Sequence, residues 1–358
     1  MPQLSRRRFH ALALGAVASG TVNGLLSTGC SARRRQPNSS IVAYVSLDAE
    51  FSQPILQEFS RQTGIKVRAK YDIESTKTVG LTQALIAESR HPRCDLFWNN
   101  EILNTIRLEN LGLLERYESP QALHYPATFR SAAQQWCGFA ARARVFLINT
   151  DLVAPDNRPA SMHDLLEPRW RGKIGIAKPL FGTTASHVAC LFAYWGEERA
   201  RQYFLDLKAN QVQILSGNKQ VALAVARGEV AVGLTDTDDA IIELERGAPV
   251  AMVYPDREAT QMGTLFIPNS LALIRGGPNP AAARKLVDYL LTVDVEEQLA
   301  QSASAQIPLH DESTYQGRVE TPRTVKPLEV DFAAAARQWD TAARFIRDQF
   351  TISTGIGG

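Results

Sequence analysis

Three stretches of this 358-residue chain bring together side chains and backbone groups that could form a binding site. In the first, FGTTAS at 181–186, Gly182, Thr183 and Thr184 open a predicted helix directly after a predicted strand. Unpaired N–H groups and the positive end of a helix suit an anion, yet helix capping by Thr183 or Thr184 would use the same groups. Both readings stand on sequence alone. In the second, Arg142 sits in a long strand-like run, where its planar guanidinium could grip an anion bidentately or hold a salt bridge. In the third, Asp236, Asp238 and Asp239 follow the run VAVGL and open another helix. Acids in a first turn are favoured by the helix dipole without any ligand, but carboxylates crowded into a crevice call for a cation.

Catalytic patterns fare worse. SGNK at 216–219 fits Ser-x-x-Lys, but no Ser-Asp-Asn or Lys-Thr-Gly follows, and Ser216 is better read as a helix cap. The six histidines (His10, His91, His124, His163, His187, His310) have neither His-x-His nor His-x-x-x-His spacing, which argues against a zinc hydrolase. The chain is therefore expected not to be an enzyme, with a metal-assisted hydrolase as the alternative of a different class.

The 39 basic and 37 acidic residues give a formal charge of +2. Arg6, Arg7 and Arg8 lie in the first thirty positions, which hold no acid, so the rest carries 36 basic against 37 acidic residues. A near-neutral body lacks the basic excess that nucleic-acid binding uses, so no nucleic-acid partner is expected. Ser5-Arg6-Arg7-Arg8-Phe9, then a charge-free stretch at 11–26, then Gly29-Cys30, has the form of an export signal of the twin-arginine type. Residues 1–30 are thus expected to be a signal peptide. Gly29-Cys30 resembles a lipobox, with Cys30 the lipidated first residue of the mature protein and residues 31–40 a polar tether. The expected location is the periplasm or cell envelope. Cys94, Cys137 and Cys190 lack CxxC spacing and are expected to be small buried residues.

The segments that must position the candidate residues alternate between strand and helix patterns. Strand-like runs occur at 41–45, 65–71, 94–98, 173–177, 212–215 and 230–234, with helical patterns at 51–62, 79–90, 184–195, 199–208 and 219–227 between them. Two long strand-like runs, 136–149 and 264–275, look like crossings between two α/β halves, each expected to carry its own sheet. Residues 41–139 with 268–326 would form lobe 1 and residues 140–267 lobe 2, with a ligand cleft between them. Residues 327–350 place Phe332, Ala335, Trp339, Ala342, Ala343 and Ile346 at three-to-four spacing, predicting a C-terminal helix that packs on a lobe.

Six segments in register, IVAYVSLDAEF, FSRQTGIKV, DLFWNNE, FAARARVFLIN, FGTTAS and GEVAVGLTDTDDA, resemble periplasmic solute-binding proteins of ABC importers, within them the ferric-ion-binding branch. The resemblance implies an α/β, two-lobed type II fold, an ABC permease of the inner membrane as partner, a small ligand and a monomer. In that branch a His, a Glu and two adjacent Tyr hold the metal. Here the His position falls on Asp48, the Glu position on Asn100 or Glu101, and the Tyr pair on Asp238 and Asp239. Carboxylates remain hard oxygen ligands, so Asp48, Glu101, Asp238 and Asp239 are the expected metal ligands, for Fe, Mn or Mg with phosphate or carbonate. Asn100, Arg142, Gly182, Thr183, Thr184 and Asp236 complete the expected site. The alternative ligand is a phosphonate or phosphate zwitterion such as 2-aminoethylphosphonate.

Overall fold

Short β-branched runs become buried strands, and most are followed within a few residues by a helix. The computed structural model describes residues 40–72 and 79–350. The expected signal peptide, Cys30 and all of the expected tether except Ser40 lie outside these. The first half contains β1 (Ser40–Val45), α1 (Ala49–Thr63), β2 (Lys66–Tyr71), α2 (Val79–Ala87), β3 (Leu96–Asn99) and α3 (Leu103–Asn110). The long β4 (Trp136–Asn149) leads to β5 (Ile174–Ala177), α4 (Gly182–Trp195), α5 (Glu197–Ala209), β6 (Gln213–Leu215), α6 (Asn218–Ala226), β7 (Val232–Asp236), α7 (Thr237–Glu245) and β8 (Val250–Val253). The chain returns along β9 (Phe266–Leu273) and ends in α8 (Pro280–Leu290), α9 (Val293–Gln301) and α10 (Phe332–Phe350).

The strands are ordered β2-β1-β3-β9-β4-β7-β5-β6, with β8 also on β4. β1, β2 and β3 are parallel to one another, as are β5, β6 and β7. Between these triplets run β9 and β4, antiparallel to each other and to their outer neighbours. The expected crossings are therefore neighbours at the centre. The halves do not carry separate sheets, because β4 pairs with β9 through residues 136–143 and with β7 and β8 through residues 144–149. A single 14-residue strand is long enough to belong to both halves.

β4 carries a bulge in the part paired with β9. Its register slips between Phe139 and Ala141, and Ala140 between them takes φ 43°. A left-handed alanine costs of order 1–3 kcal/mol, so its surroundings must hold it. Asn269 donates to the Ala140 carbonyl, and the Ala140 N–H donates to Glu296 of α9. Glu296 also accepts from the backbone N–H of Leu309 at 2.8 Å and of His310 at 2.7 Å, so one buried carboxylate ties the bulge to a third segment.

α10 buries Phe332, Ala335, Trp339, Ala342 and Ile346 of the expected apolar face, together with Ala336 and Phe345, while Ala343 is only half-buried. It packs against both α4 and α3, rather than on one half as expected. Ile102, Leu103 and Ile106 join the same core as α4 and α10, so the halves are tied on this side. Cys94, Cys137 and Cys190 are buried free thiols.

Burial pushes the Glu296 carboxyl up to about 7, against the amide donors of Ala140, His310 and Leu309 that pull it down. The folded protein thus binds this proton more tightly than the unfolded chain, where Glu ionises at about 4.3. Its contribution to stability is fully present below that value and is lost as pH rises through about 7. In thermal melts, the wild type is expected to lose about 3 kcal/mol between pH 5 and 8 from this group. Glu296→Gln should melt from a lower baseline, since its amide offers one acceptor oxygen, and should lack this decline. A decline of equal size in both proteins would contradict this account.

Candidate ligand-binding cleft

Of the helices that follow parallel strands, four begin around one cavity: α1 after β1, α4 after β5, α6 after β6 and α7 after β7. In open α/β sheets the carboxyl edge of the strands is where ligands bind. The residues preceding these helices are Asp48, Phe181, Gly217 and Asp236, and none of them caps its helix through its side chain. Helix starts without such caps leave backbone N–H groups available to another acceptor. Gly182 begins α4 at φ 57°, with nothing within 4 Å of where a Cβ would stand, so glycine is needed there for conformation rather than space. Gly233 is the opposite case. A Cβ there would come within 2.6 Å of Val221 and 2.7 Å of Val225, so its absence lets α6 lie close on β7.

These helix starts line one cavity of about 70 Å³. Asp48, Glu50, Phe51 and Asn100 come from the first half, and Lys178, Gly182 to Thr184, Ser216 to Lys219, Asp236, Asp238 and Asp239 from the second. Arg142 of β4 lies between them. Drug-sized ligands occupy about 300–1,000 Å³, so this conformation suits an ion or a very small molecule.

A buried polar network fixes the second wall. Arg144, which is fully buried, donates to Asp236 at 2.7 Å and to Asn218 Oδ1 at 3.1 Å. Asp236 also accepts from the Thr183 hydroxyl and, at 2.8 Å, from Asn218 Nδ2. Asn218 Oδ1 in turn accepts from Thr184 at 3.1 Å. The starts of α4, α6 and α7 are thereby held by one aspartate, one asparagine and one arginine. His187 contacts the same guanidinium, and burial together with Arg144 holds its pKa well below the usual value, keeping it neutral.

Arg142 spans the halves. Its Nε donates to Asp238 at 3.0 Å and its Nη1 to the carbonyl of Asn100. Burial alone would lower its pKa, but Asp238, Asp236 and Asp239 together raise it, so it stays charged. The carboxylates of Asp236, Asp238 and Asp239 each place an oxygen within 4.8 Å of the others. Asn100 contributes the cavity wall, and its Oδ1 is buried with no partner among the described residues, leaving an acceptor for a ligand donor or cation.

Of the expected site residues, Asp48, Asn100, Arg142, Gly182, Thr183, Thr184, Asp236, Asp238 and Asp239 come together around the cavity. Glu101 does not. It is fully buried and accepts from Asn99, from Ser186 at 2.8 Å, and from the backbone N–H groups of Leu103 and Asn104 at the start of α3. Both oxygens serve a helix start, so the expected placement of Glu101 among metal ligands is corrected. Lys178, Asn218, Lys219 and Glu50 were not anticipated. The signal for Asn218 and Lys219 lay in SGNK, which correctly indicates a helix start but says nothing of what that start faces.

Residues 104–335 match the family described as bacterial extracellular solute-binding protein. Iron uptake protein A1 of Synechocystis sp. is 25% identical, over 84% of this chain and 86% of the relative. Iron-bound HitA from Pseudomonas aeruginosa superposes with a TM-score of 0.77 at 22% identity, covering 86% of this chain and 99% of that one. The periplasmic binding protein AfuA from Actinobacillus pleuropneumoniae, solved with fructose-6-phosphate, gives 0.77 at 23% identity, covering 88% and 99%. At such identities the two structures establish the shared two-lobed fold, while the family match covers well over half the sequence: the chain belongs to the bacterial extracellular solute-binding protein family.

Proposed function

We propose that this protein is the extracytoplasmic binding component of an ABC importer, and that its cargo is iron or another oxygen-liganded cation held together with a small anion. The observation that carries this reading is the pairing of two half-sites in one small cavity. The helix starts at Gly182 to Thr184 and Gly217 to Lys219 suit phosphate or carbonate, and Asp48, Glu50, Asp238, Asp239 and Asn100 Oδ1 suit a hard cation. Cargo touching both halves closes the cleft by its differential affinity, and about 5.5 kcal/mol of preference moves a 1:99 equilibrium to 99:1. An inner-membrane permease then reads the closed form. Iron uptake protein A1 carries iron in its name and HitA was solved iron-bound, which supports the cation. The hydrolase alternative gains nothing from the family or from these relatives.

A second reading is favoured by one feature of the charge distribution. Asp236 and Asp238 already pair with Arg144 and Arg142, so the acidic side asks for less positive charge than its carboxylates suggest. A zwitterion such as 2-aminoethylphosphonate would place its anionic head on the helix starts and its ammonium towards Asp48 and Asp239.

Calorimetry separates the readings. Asp48→Asn with Asp239→Asn leaves the Arg142–Asp238 pair in place, and is expected to weaken ferric binding in phosphate buffer by tenfold or more, about 1.4 kcal/mol, with little change in melting temperature. Heat with 2-aminoethylphosphonate and none with ferric, manganese or magnesium salts would favour the zwitterion. Unchanged titrations in the double variant would remove the acidic side from the site.

We further propose export by the twin-arginine route, anchoring through a lipid on Cys30, and action as a monomer. Membrane fractionation should find the wild type with the membrane and Cys30→Ala in the soluble periplasmic fraction. Equal solubility of the two would exclude the anchor.

A further inference from the structure

The amino ends of β1, β2 and β3 lie together at the end of the first half away from the cleft, which Asp48 and Asn100 line from beyond the carboxyl ends of β1 and β3. Ser40, the first described residue, is at this amino end. Its hydroxyl accepts from Arg68 at 3.0 Å and its carbonyl from Asn279 at 2.9 Å. Exposed cations gather around it. Lys66, Arg68 and Lys70 alternate along β2, the edge strand, and so share one face. Arg90 and Arg93 lie in the turn before β3. Arg275 follows Ile274, whose N–H donates to the Asp95 carbonyl at 3.1 Å, so it comes to the same end.

None of these six cations has an ion pair among the described residues, and the nearby carboxylates are engaged elsewhere. Asp95 is buried and accepts from the Val42 N–H at 2.8 Å, and Glu88 accepts from the Tyr44 hydroxyl at 2.8 Å. Glu58 pairs with Arg61, and Glu115 with Arg284. The chain beyond residue 30 carries 36 basic against 37 acidic residues, so the excess here is local.

We propose that this end of the first half rests on an anionic lipid surface, with Lys66, Arg68, Arg90, Arg93 and Arg275 against the headgroups. Cations on an edge strand also guard it against pairing with another chain. Arg90, Arg93 and Arg275 belong to no strand, however, so that role leaves half of the patch unexplained. Leu111, 57% exposed, adjoins Gly112, which lies against the Arg275 guanidinium, and offers an apolar contact among the charges. A membrane fits better than an acidic protein because of what precedes Ser40. Cys30 is ten residues earlier, a reach of about 36 Å at most, and Arg33, Arg34 and Arg35 lie between. The choice of partner thus rests on the lipid proposed for Cys30. One lipid signal combined with a polybasic patch is a recognised route to stable anchoring. β1 leads from the patch towards Asp48, so a body seated this way keeps its cleft clear of the bilayer while cargo is captured.

The test uses the full chain as Cys30→Ala, which carries no lipid, with vesicles of phosphatidylcholine that contain either no phosphatidylglycerol or about 30%. At about 0.05 M salt the protein should float with the anionic vesicles only, and about 0.5 M salt should release it by screening these charges. Lys66→Glu with Arg90→Glu and Arg93→Glu should weaken binding by about tenfold or more at unchanged melting temperature. Arg171→Glu with Arg199→Glu and Arg337→Glu, the same charge change at exposed positions elsewhere, should alter it by about twofold at most. Absence of binding to the anionic vesicles, equal binding to the neutral ones, or equal losses in the two triple variants would overturn the proposal. So would binding only to vesicles that also hold membrane proteins, which would mark a protein partner. Failure of the Cys30 anchor shows separately, as a soluble wild type in membrane fractionation.

Discussion

The cleft depends on a buried ion pair. Arg144 and Asp236 sit in the interior at 2.7 Å, and each has further hydrogen bonds, so neither charge is stranded. Removing one partner of such a pair typically costs about 3–5 kcal/mol, because the other is left uncompensated. The consequence here is positional as well as energetic. Asp236 ends β7, Thr183 opens α4 and Asn218 opens α6, so three backbones share the aspartate's two oxygens. The bare glycine at 233 serves the same end by letting α6 sit close enough on β7 for Asn218 to reach.

A second constraint lies between the halves. β4 is common to both, Arg142 links Asn100 to Asp238, and α10 covers α3 and α4 together. Ser186 of α4 reaches Glu101 beside α3, reinforcing that side. The left-handed Ala140, held by Glu296 and Asn269, is a strained point in the strand the halves share.

Much of this was legible in the sequence because the decisive signals were local. The run 136–149 became one strand over those same residues, and the α10 face followed from its spacing. The starts of α4 and α7 were marked by Gly182-Thr183 and by the aspartate cluster. Other features depend on contacts between distant residues. α3 was missed because LNTIRLEN has no strong periodicity and its start is satisfied by Glu101, two residues before it. Glu101 was misplaced for the same reason, since position along the chain cannot say whether a carboxylate faces a crevice or a helix start. Arg144 is two residues from Arg142 in the same strand, and only the partners across the sheet separate the buried anchor from the cleft-lining bridge.

The charge pattern narrows what the cleft can hold. Asp238 is an expected metal ligand, but it lies against Arg142, as Asp236 does against Arg144, so part of the acidic charge is already balanced. Asp48, Glu50 and Asp239 line the cavity beside Asn100 Oδ1, and Lys178, Lys219 and the starts of α4 and α6 line it as well. A lone cation would use only the acidic groups, and a lone anion only the basic groups and helix starts. The arrangement favours cargo that brings both signs at once, either a hard metal with its companion anion or a single small zwitterion. A cavity of about 70 Å³ restricts either to a few heavy atoms unless the lobes separate further.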